Sequence, residues 1–536
     1  MKFIYKDLTL YNLPELFEKI GSGARYTPED VLLQGLKRFG TAFISEINGD
    51  FAWAVSDLSQ GEIIAARDHL GIRPLYYTWT DDGIVFSGSI DEILEKSGLE
   101  KRPDPDSMKS ILVRGSVECG KTMYRSIYRV PPGHYLRVRG GETSLHRYWF
   151  PDRIDIDYSV TLSHASERFV ELLLRALERR IGPESETAFE VSGGLDSSSL
   201  YALALKRLSP RYEAYSLSYG DWTCDESDFV DAFQKTIPAT IHRIDIDTID
   251  FFHEFSLVSN YRIDPHWPLI TTATMYLPLA KRLHVDRRRI VITGQGGDQL
   301  LGGTCHLLGD LLRRGKLGEV ARELFHFYNG PIELTHRCFR DAFPYRNKKR
   351  FAKSVSEMEK TGFVPFGRGY GGLRGHRMGL LLSTREMTVR DGNHFHALEE
   401  LYGFRFHHPF YDRELVEYVL SLPPEFIYSR GWTKLLLRYG LEGILPDPIR
   451  SRRDKAEFSP LIRRELEAWI HQNGPACCPK LEELALVPEE KIREMIQAFL
   501  RGEDRELMAL WRMVNLECWY RIQSAEDERF FGASAV

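Results

Sequence analysis

From Ile44 to Phe86 the chain runs in short bursts of alternating apolar and polar residues, separated by turn pairs. Phe51, Trp53 and Val55 share one side of a strand, and Asn48-Gly49 and Asp82-Gly83 are hairpin signals. Helical spacing follows between Glu92 and Ser110, and Pro131 to Trp149 predicts a further hairpin. From Ser163 to Ile181 the period changes, with Phe169, Leu172, Leu173, Leu174, Ala176 and Leu177 at helical spacing. The apolar run Thr187 to Val191 then opens into glycines and a second helix. Tyr212 to Gly220 predicts a strand, Asp225 to Thr236 a helix, and Ile241 to Ile246 another strand. Strands alternating with helices predict a parallel sheet with helical crossovers. Residues 304–400 and 460 to the end read mostly as helix. The text turns polar and extended after Trp149, so two units are expected: residues 1–155, β-rich, and residues 156–536, α/β.

Composition narrows the function classes. With 43% hydrophobic and 27% charged residues in 536, the chain buries a full core. A net charge of −5 disfavours a nucleic-acid coat. Seven cysteines, an odd number without regular spacing, fit reduced thiols and a cytoplasmic location. The opening MKFIYKDLTLYNLPEL has no uninterrupted apolar core, and no 18 apolar residues run together anywhere, so neither a signal peptide nor a membrane span is expected.

The most informative string is Phe189-Glu190-Val191-Ser192-Gly193-Gly194-Leu195-Asp196-Ser197-Ser198-Ser199. A buried strand ends in Ser-Gly-Gly and a helix begins, so backbone N–H groups converge where the helix dipole is positive. Glycines let the main chain approach a phosphate, and Ser192, Ser197 and Ser198 add donors without bulk. A bare GG-x-D would read as an ordinary strand-to-helix turn; the full string behind a buried strand reads as an anion cradle. It is not a Walker loop, since no G-x-x-x-x-G-K-[ST] occurs. A second string, Thr293-Gly294-Gln295-Gly296-Gly297-Asp298-Gln299-Leu300, repeats the pattern of strand, glycines and acid. Asp196 and Asp298, at the carboxyl ends of two parallel strands, could face one cluster above the sheet.

The first loop resembles the pyrophosphate loop of the ATP pyrophosphatase superfamily. The two loops together, with NGDFAWAVSD, ARDHLGIRPLYY, VPPGHYL, HPFYDRELVEYVLSLPPE and TKLLLR in order, resemble the asparagine synthetase family, which includes β-lactam synthetases and lasso-peptide cyclases. The resemblance implies a degenerate Ntn-hydrolase-like amino-terminal domain and an ATP-pyrophosphatase-type synthetase domain with many helices. It implies ATP and Mg²⁺, with both Asp196 and Asp298 as metal ligands and the loop residues Ser192 to Ser198 and Gly294, Gly296 and Gly297 around the nucleotide. Leu217 and Ser218 would border the adenine. Lys455, in RSRRDKAEFSP, would meet the α-phosphate and reacting centre, where a cation stabilises developing charge; without the resemblance it reads as one more solvated lysine.

Three departures from the family matter. Met1 is followed by Lys2 and the first cysteine is Cys119, so the N-terminal thiol of glutamine-using members is missing and glutamine hydrolysis is expected to be absent, the domain serving as scaffold. Gln295 stands where asparagine synthetases carry glutamate, and an amide can neither act as a carboxylate base nor attract ammonium by charge. The stretch before Pro409, and RDKAEF, look more like the lasso-cyclase subgroup. The leading expectation is adenylation of a carboxylate followed by amide formation with an amine of the same peptide or a second molecule, with a separate peptidase and a leader-binding protein as partners. An ammonia-dependent asparagine synthetase and a non-catalytic nucleotide- or peptide-binding scaffold are the rivals.

Other conspicuous residues carry plainer expectations. His394 and His396, two apart on a helix, make a poor metal pair. Cys477 and Cys478 suit neither a zinc knuckle nor a disulfide. His407 and His408 read as packing or surface before cavity lining, and Asp68 and Arg73 as pins of a hairpin.

Overall fold

The structure, a computed structural model, describes residues 1–21, 26–115, 117, 120–220, 222–246, 269–302, 307–327, 395–453, 456–474, 477–503 and 506–523. The amino-terminal part builds two antiparallel sheets from β1 (Lys2–Leu10), β2 (Gly49–Asp57), β3 (Glu62–Arg67), β4 (Tyr76–Thr80), β5 (Gly83–Ser87), β6 (Tyr128–Arg129), β7 (His134–Arg139) and β8 (Glu142–Arg147). The first sheet has the order β1-β2-β3-β7-β8 and the second β5-β4-β6. On β2, Phe51, Trp53 and Val55 join one core while Ala52 and Ala54 face the other with Ala65, Phe86 and Val138. Alternation on this strand therefore separates large from small residues and not buried from exposed, because both faces of the sheet are covered. Helices α1 (Leu13–Ile20) and α2 (Pro28–Phe39) contribute Leu16, Val31, Leu32 and Leu36 to the first core.

Two readings of turns divide here. Thr80 pairs with Gly83 in a tight hairpin, as Asp82-Gly83 predicts. Asn48-Gly49 makes no hairpin: Gly49 begins β2, whose partner at that end is Leu10. Asn48 instead spends its polar groups on tertiary contacts, its N–H on Asn12 and its amide on Asp412. The helical stretch from Glu92 divides into α3 (Ile90–Ser97) and α4 (Pro105–Arg114), with Gly98 in the left-handed region at φ 65° ending the first.

The second half is a five-stranded parallel sheet, β9 (Thr187–Glu190), β10 (Glu213–Ser218), β11 (Thr240–Asp245), β12 (Ile290–Ile292) and β13 (Arg405–His407), in the order β11-β10-β9-β12-β13. Helices α5 (Leu162–Glu178) and α6 (Leu195–Arg207) cover one face with Phe169, Leu173, Leu200 and Tyr201. The helix Leu269–Val285 covers the other with Leu277, Leu279 and Leu283. Helices after Phe458 form a further layer around Trp469, Trp511 and Trp519. The fold is thus α/β, with a β-rich two-sheet amino-terminal part and a parallel-sheet part rich in helices. No described helix is long and apolar enough to cross a membrane.

Buried charges brace the boundary between the two parts, one as an ion pair across it and one as a cation over an aromatic ring. Arg180 donates to Asp412 at 2.8 Å and lies over the Tyr11 ring, while Arg73 pairs with Glu399. Arg73 therefore does more than pin a hairpin. Asp68 does pin one, accepting the N–H groups of Gly71, Ile72 and Arg73. Burial opposes the charge on Asp412 and on Glu399, yet Arg180 beside the one and Arg73 and His396 beside the other hold both carboxyls below their usual range. His396 would lose its proton through burial, but Glu399 and Glu400 raise it to about 9. Burial and the nearby Arg73 and Arg180 push His407 down to about 3.

These shifts give two arms to the pH dependence of stability. A depressed His407 or carboxyl takes up protons more readily unfolded, so stability falls as pH drops below about 6.5 and further below about 4. The raised His396 contributes stability that is full below about 6.5 and lost as pH rises through about 9. Denaturant midpoints should peak near neutrality, and His396→Gln should flatten the alkaline arm alone. Arg180→Ala leaves Asp412 charged and buried, and urea titration should show a loss of about 3–5 kcal/mol.

Candidate functional site

β9 and β12 are neighbours, Phe189 facing Ile292, and the chain leaves β9 toward β10 on one side and arrives at β12 on the other. Such a reversal opens a crevice at the carboxyl ends of the strands. Both glycine strings emerge there. After β9, Gly193 takes φ 87°, and a Cβ on it would lie 2.9 Å from the Glu226 carbonyl oxygen. Gly194 then caps α6 without a side chain, leaving the first N–H groups of the helix open to the crevice side. Ser197 Oγ accepts the Ser192 N–H at 3.1 Å and touches Ser192 Oγ, which in turn accepts the Gly194 N–H. Leu195 is buried as the hydrophobic anchor of the helix start. The Ser198 hydroxyl is buried and has no hydrogen-bond partner among the described residues.

The second loop packs against the first through its glycines. A Cβ on Gly294 would fall 2.6 Å from Ser197 N, and one on Gly297 would fall 2.3 Å from Asp196 Cγ. Gly296, at φ 96°, turns under Tyr411, whose ring would sit 2.8 Å from a Cβ there. Only a chain lacking these three side chains can bring Asp196 and Asp298 together. The Gln295 N–H is donated to Thr293 Oγ1 at 3.2 Å, which fixes the tip of the turn.

The residue that joins the two acids is Lys434, inside the string TKLLLR, to which the sequence pattern alone gives no role. Its ammonium lies 2.5 Å from Asp196 Oδ2 and 2.7 Å from Asp298 Oδ1. Lys434 has φ 58° and donates its N–H to the Leu301 carbonyl, so the backbone is strained to aim the side chain inward. Burial would strip its proton, but Asp196 and then Asp298 keep it charged. The available signal was a single cation at the head of the apolar run Leu435–Leu437, whose residues are all buried.

Other expected residues are placed as follows. Leu217 and Ser218 end β10, the strand beside β9, and Ser218 accepts the Ile246 N–H through its carbonyl. Arg452 is buried, paired with Glu226 and lying 3.8 Å over the Phe229 ring, so it braces the wall behind Gly193. Arg453 is exposed and stacks on Trp432. Lys455 and His394 lie outside the described residues. His407 and His408 are buried in packing positions. Cys477 and Cys478 are free thiols with sulfurs 3.8 Å apart.

Two carboxylates that already share one cation, beside a helix start with no side-chain cap, fit a hard divalent cation with phosphates. Family models match the chain twice: asparagine synthase over residues 168–521 and a glutamine amidotransferase domain over residues 7–149. Amidase chry2 of Gibberella zeae is 25% identical over 80% of this chain and 72% of its own length. Amidase chyE of Penicillium rubens is 27% identical over 53% of this chain and 44% of its own. The glutamine-hydrolyzing asparagine synthetase 3 of Bacillus subtilis is 24% identical over 83% of this chain and 73% of its own.

Removing the ammonium leaves two like charges at contact range, and one carboxyl must then take up a proton or a cation. Lys434→Met should lower the free energy of unfolding by about 3–5 kcal/mol in the absence of divalent ions. Millimolar Mg²⁺ alone should restore more stability to this variant than it adds to the unaltered protein, as read by thermal melts.

Proposed function

The chain belongs to the asparagine synthase family and is an ATP-dependent carbon–nitrogen ligase, and from that premise we propose that it closes an amide within a peptide, giving a macrolactam. The observation that carries the activation half is the meeting of Asp196, Asp298 and Lys434 between two glycine turns. The observation that directs the second half is Gln295 at the tip of the second turn. A neutral amide there holds a substrate by hydrogen bonds and neither abstracts a proton from ammonium nor draws it in by charge.

The substrate carboxylate attacks the α-phosphorus of ATP, forming an acyl–oxygen–phosphorus link and breaking the bond to the β-phosphate. N–H groups at Gly193 to Asp196, with the Ser192, Ser197 and Ser198 hydroxyls, hold the departing pyrophosphate. Asp196 and Asp298 would hold Mg²⁺, which when bound supplies neutralisation of the triphosphate charge. Lys434, displaced from its carboxylates, has the length and charge to follow the phosphates. Lys455 meets the α-phosphate, and Leu217 and Ser218 border the adenine. A substrate amine then attacks the acyl carbon, the bond from that carbon to the phosphate oxygen breaks, AMP leaves with the electron pair, and the amine's proton passes to the departing phosphate or to water. Holding amine and acyl carbon on one chain removes the entropy cost of a second encounter. A peptidase that frees the amine and a protein that delivers the precursor's leader are the partners this scheme calls for.

Candidate peptides incubated with the protein and MgATP should lose the mass of one water for each ring closed, with one AMP and one pyrophosphate released per ring. Asp196→Asn should slow this by roughly 10²–10³-fold. Peptides that keep their full mass while free aspartate and ammonium yield asparagine would overturn the macrolactam reading.

A further inference from the structure

Beneath the Gln295 turn lies a hydrogen-bonded chain that the adenylation scheme does not use. Thr293, fully buried, follows β12 directly; its Oγ1 accepts the Gln295 N–H and lies 2.8 Å from His408 Nδ1. A hydroxyl brings one proton and two lone pairs, and a buried proton needs an acceptor. Among the described residues, His408 Nδ1 is the one partner of this hydroxyl able to take it. His408 must then carry its own proton on Nε2, because an imidazolium has no acceptor to offer. The surroundings agree: burial, Arg73 and Arg180 push His408 down to about 3, against the opposing pull of Glu399.

The ring is itself held on several sides. It packs 5.2 Å from Phe395 and edge-on to Tyr411, the residue that also limits Gly296. Its neighbour His407 lies 3.1 Å from the Tyr11 hydroxyl, which donates to Asp50 at 2.6 Å. Tyr11 and Asp50 belong to the amino-terminal part. The His408 ring is therefore packed among Phe395, Phe406 and Tyr411, next in sequence to the residue that meets the amino-terminal part, and one hydroxyl away from the turn that carries Gln295 and Asp298.

We propose that His408 is a positioning residue for the ligase site: through Nδ1 it accepts the hydrogen bond that the Thr293 hydroxyl donates, and the hydroxyl so oriented holds the Gln295 N–H and the turn from Gln295 to Asp298. The proposal rests on reading that turn as part of the nucleotide site. His408→Phe keeps an aromatic ring and removes the acceptor, whereas His408→Asn returns an amide oxygen near the place of Nδ1. The readouts are hydrogen–deuterium exchange of peptides spanning residues 293–298, and the dissociation constant of the magnesium complex of α,β-methylene-ATP.

In His408→Phe the turn should exchange about ten-fold faster, the fold-change set by losing one net hydrogen bond. The analogue should bind about ten-fold more weakly, while peptides from β9 and β10 keep their protection. His408→Asn should recover most of both. Thr293→Val should reproduce His408→Phe, and Thr293→Ser should behave as the unaltered protein, which keeps the test open should the histidine variant not fold. Unchanged protection of the turn in His408→Phe and Thr293→Val overturns the proposal, as does a His408→Asn variant no better than His408→Phe. Exchange that follows expectation in a protein that fails to bind the analogue upholds the positioning role and overturns the nucleotide reading instead.

Discussion

One ammonium between two carboxylates sets the geometry of the cleft. Asp196 and Asp298 sit on separate turns from adjacent strands, and without a cation their charges would drive the turns apart. Lys434 supplies that cation from a third segment, with a left-handed backbone that few lysines adopt. A flexible cation held by two acids is also exchangeable. A divalent ion can take its place with more charge and less bulk, leaving the lysine to follow the phosphates that arrive with the metal.

Glycine makes this arrangement possible, and not through flexibility alone. Gly294 and Gly297 lack side chains where the second turn lies against Ser197 and Asp196, and Gly193 lacks one against the Glu226 carbonyl. Each absent methyl shortens the distance between two charged loops. The loops are then stiffened from behind: Arg452 ties Glu226 in place, and Thr293 joins the second turn to His408. The amino-terminal sheets take part in that support through Tyr11, Asn48 and Arg73, whose partners His407, Asp412 and Glu399 all lie at or beside β13 and the Pro409 segment.

Much of this was legible in the chain. The change of period near Ser163 marked the passage from antiparallel to parallel sheet, and the two glycine strings lie on neighbouring strands as their shared pattern suggested. The hairpin at Asp82-Gly83 formed, since its strands flank it directly. Asn48-Gly49 did not, because a turn dipeptide acts only where both flanking strands can pair, and here the partner of β2 is far upstream. Lys434 escaped notice for a related reason. A lysine before Leu435 looks like the exposed end of an apolar helix, and nothing local reveals two acids more than a hundred residues away.

What the sequence alone determined is the local chemistry: which turns require glycine, where helices begin with open N–H groups, and which acids stand at strand ends. Those properties depend on neighbours within a few positions and on backbone sterics, so they can be read along the chain. Only the tertiary structure decided that Asp196, Asp298 and Lys434 share one point in space, that Arg180 neutralises Asp412, and that His408 lies under the Gln295 turn. Those are long-range pairings of charge and hydrogen bond, fixed by how the sheets stack, and their energy comes from burial that no segment possesses before the whole chain has packed.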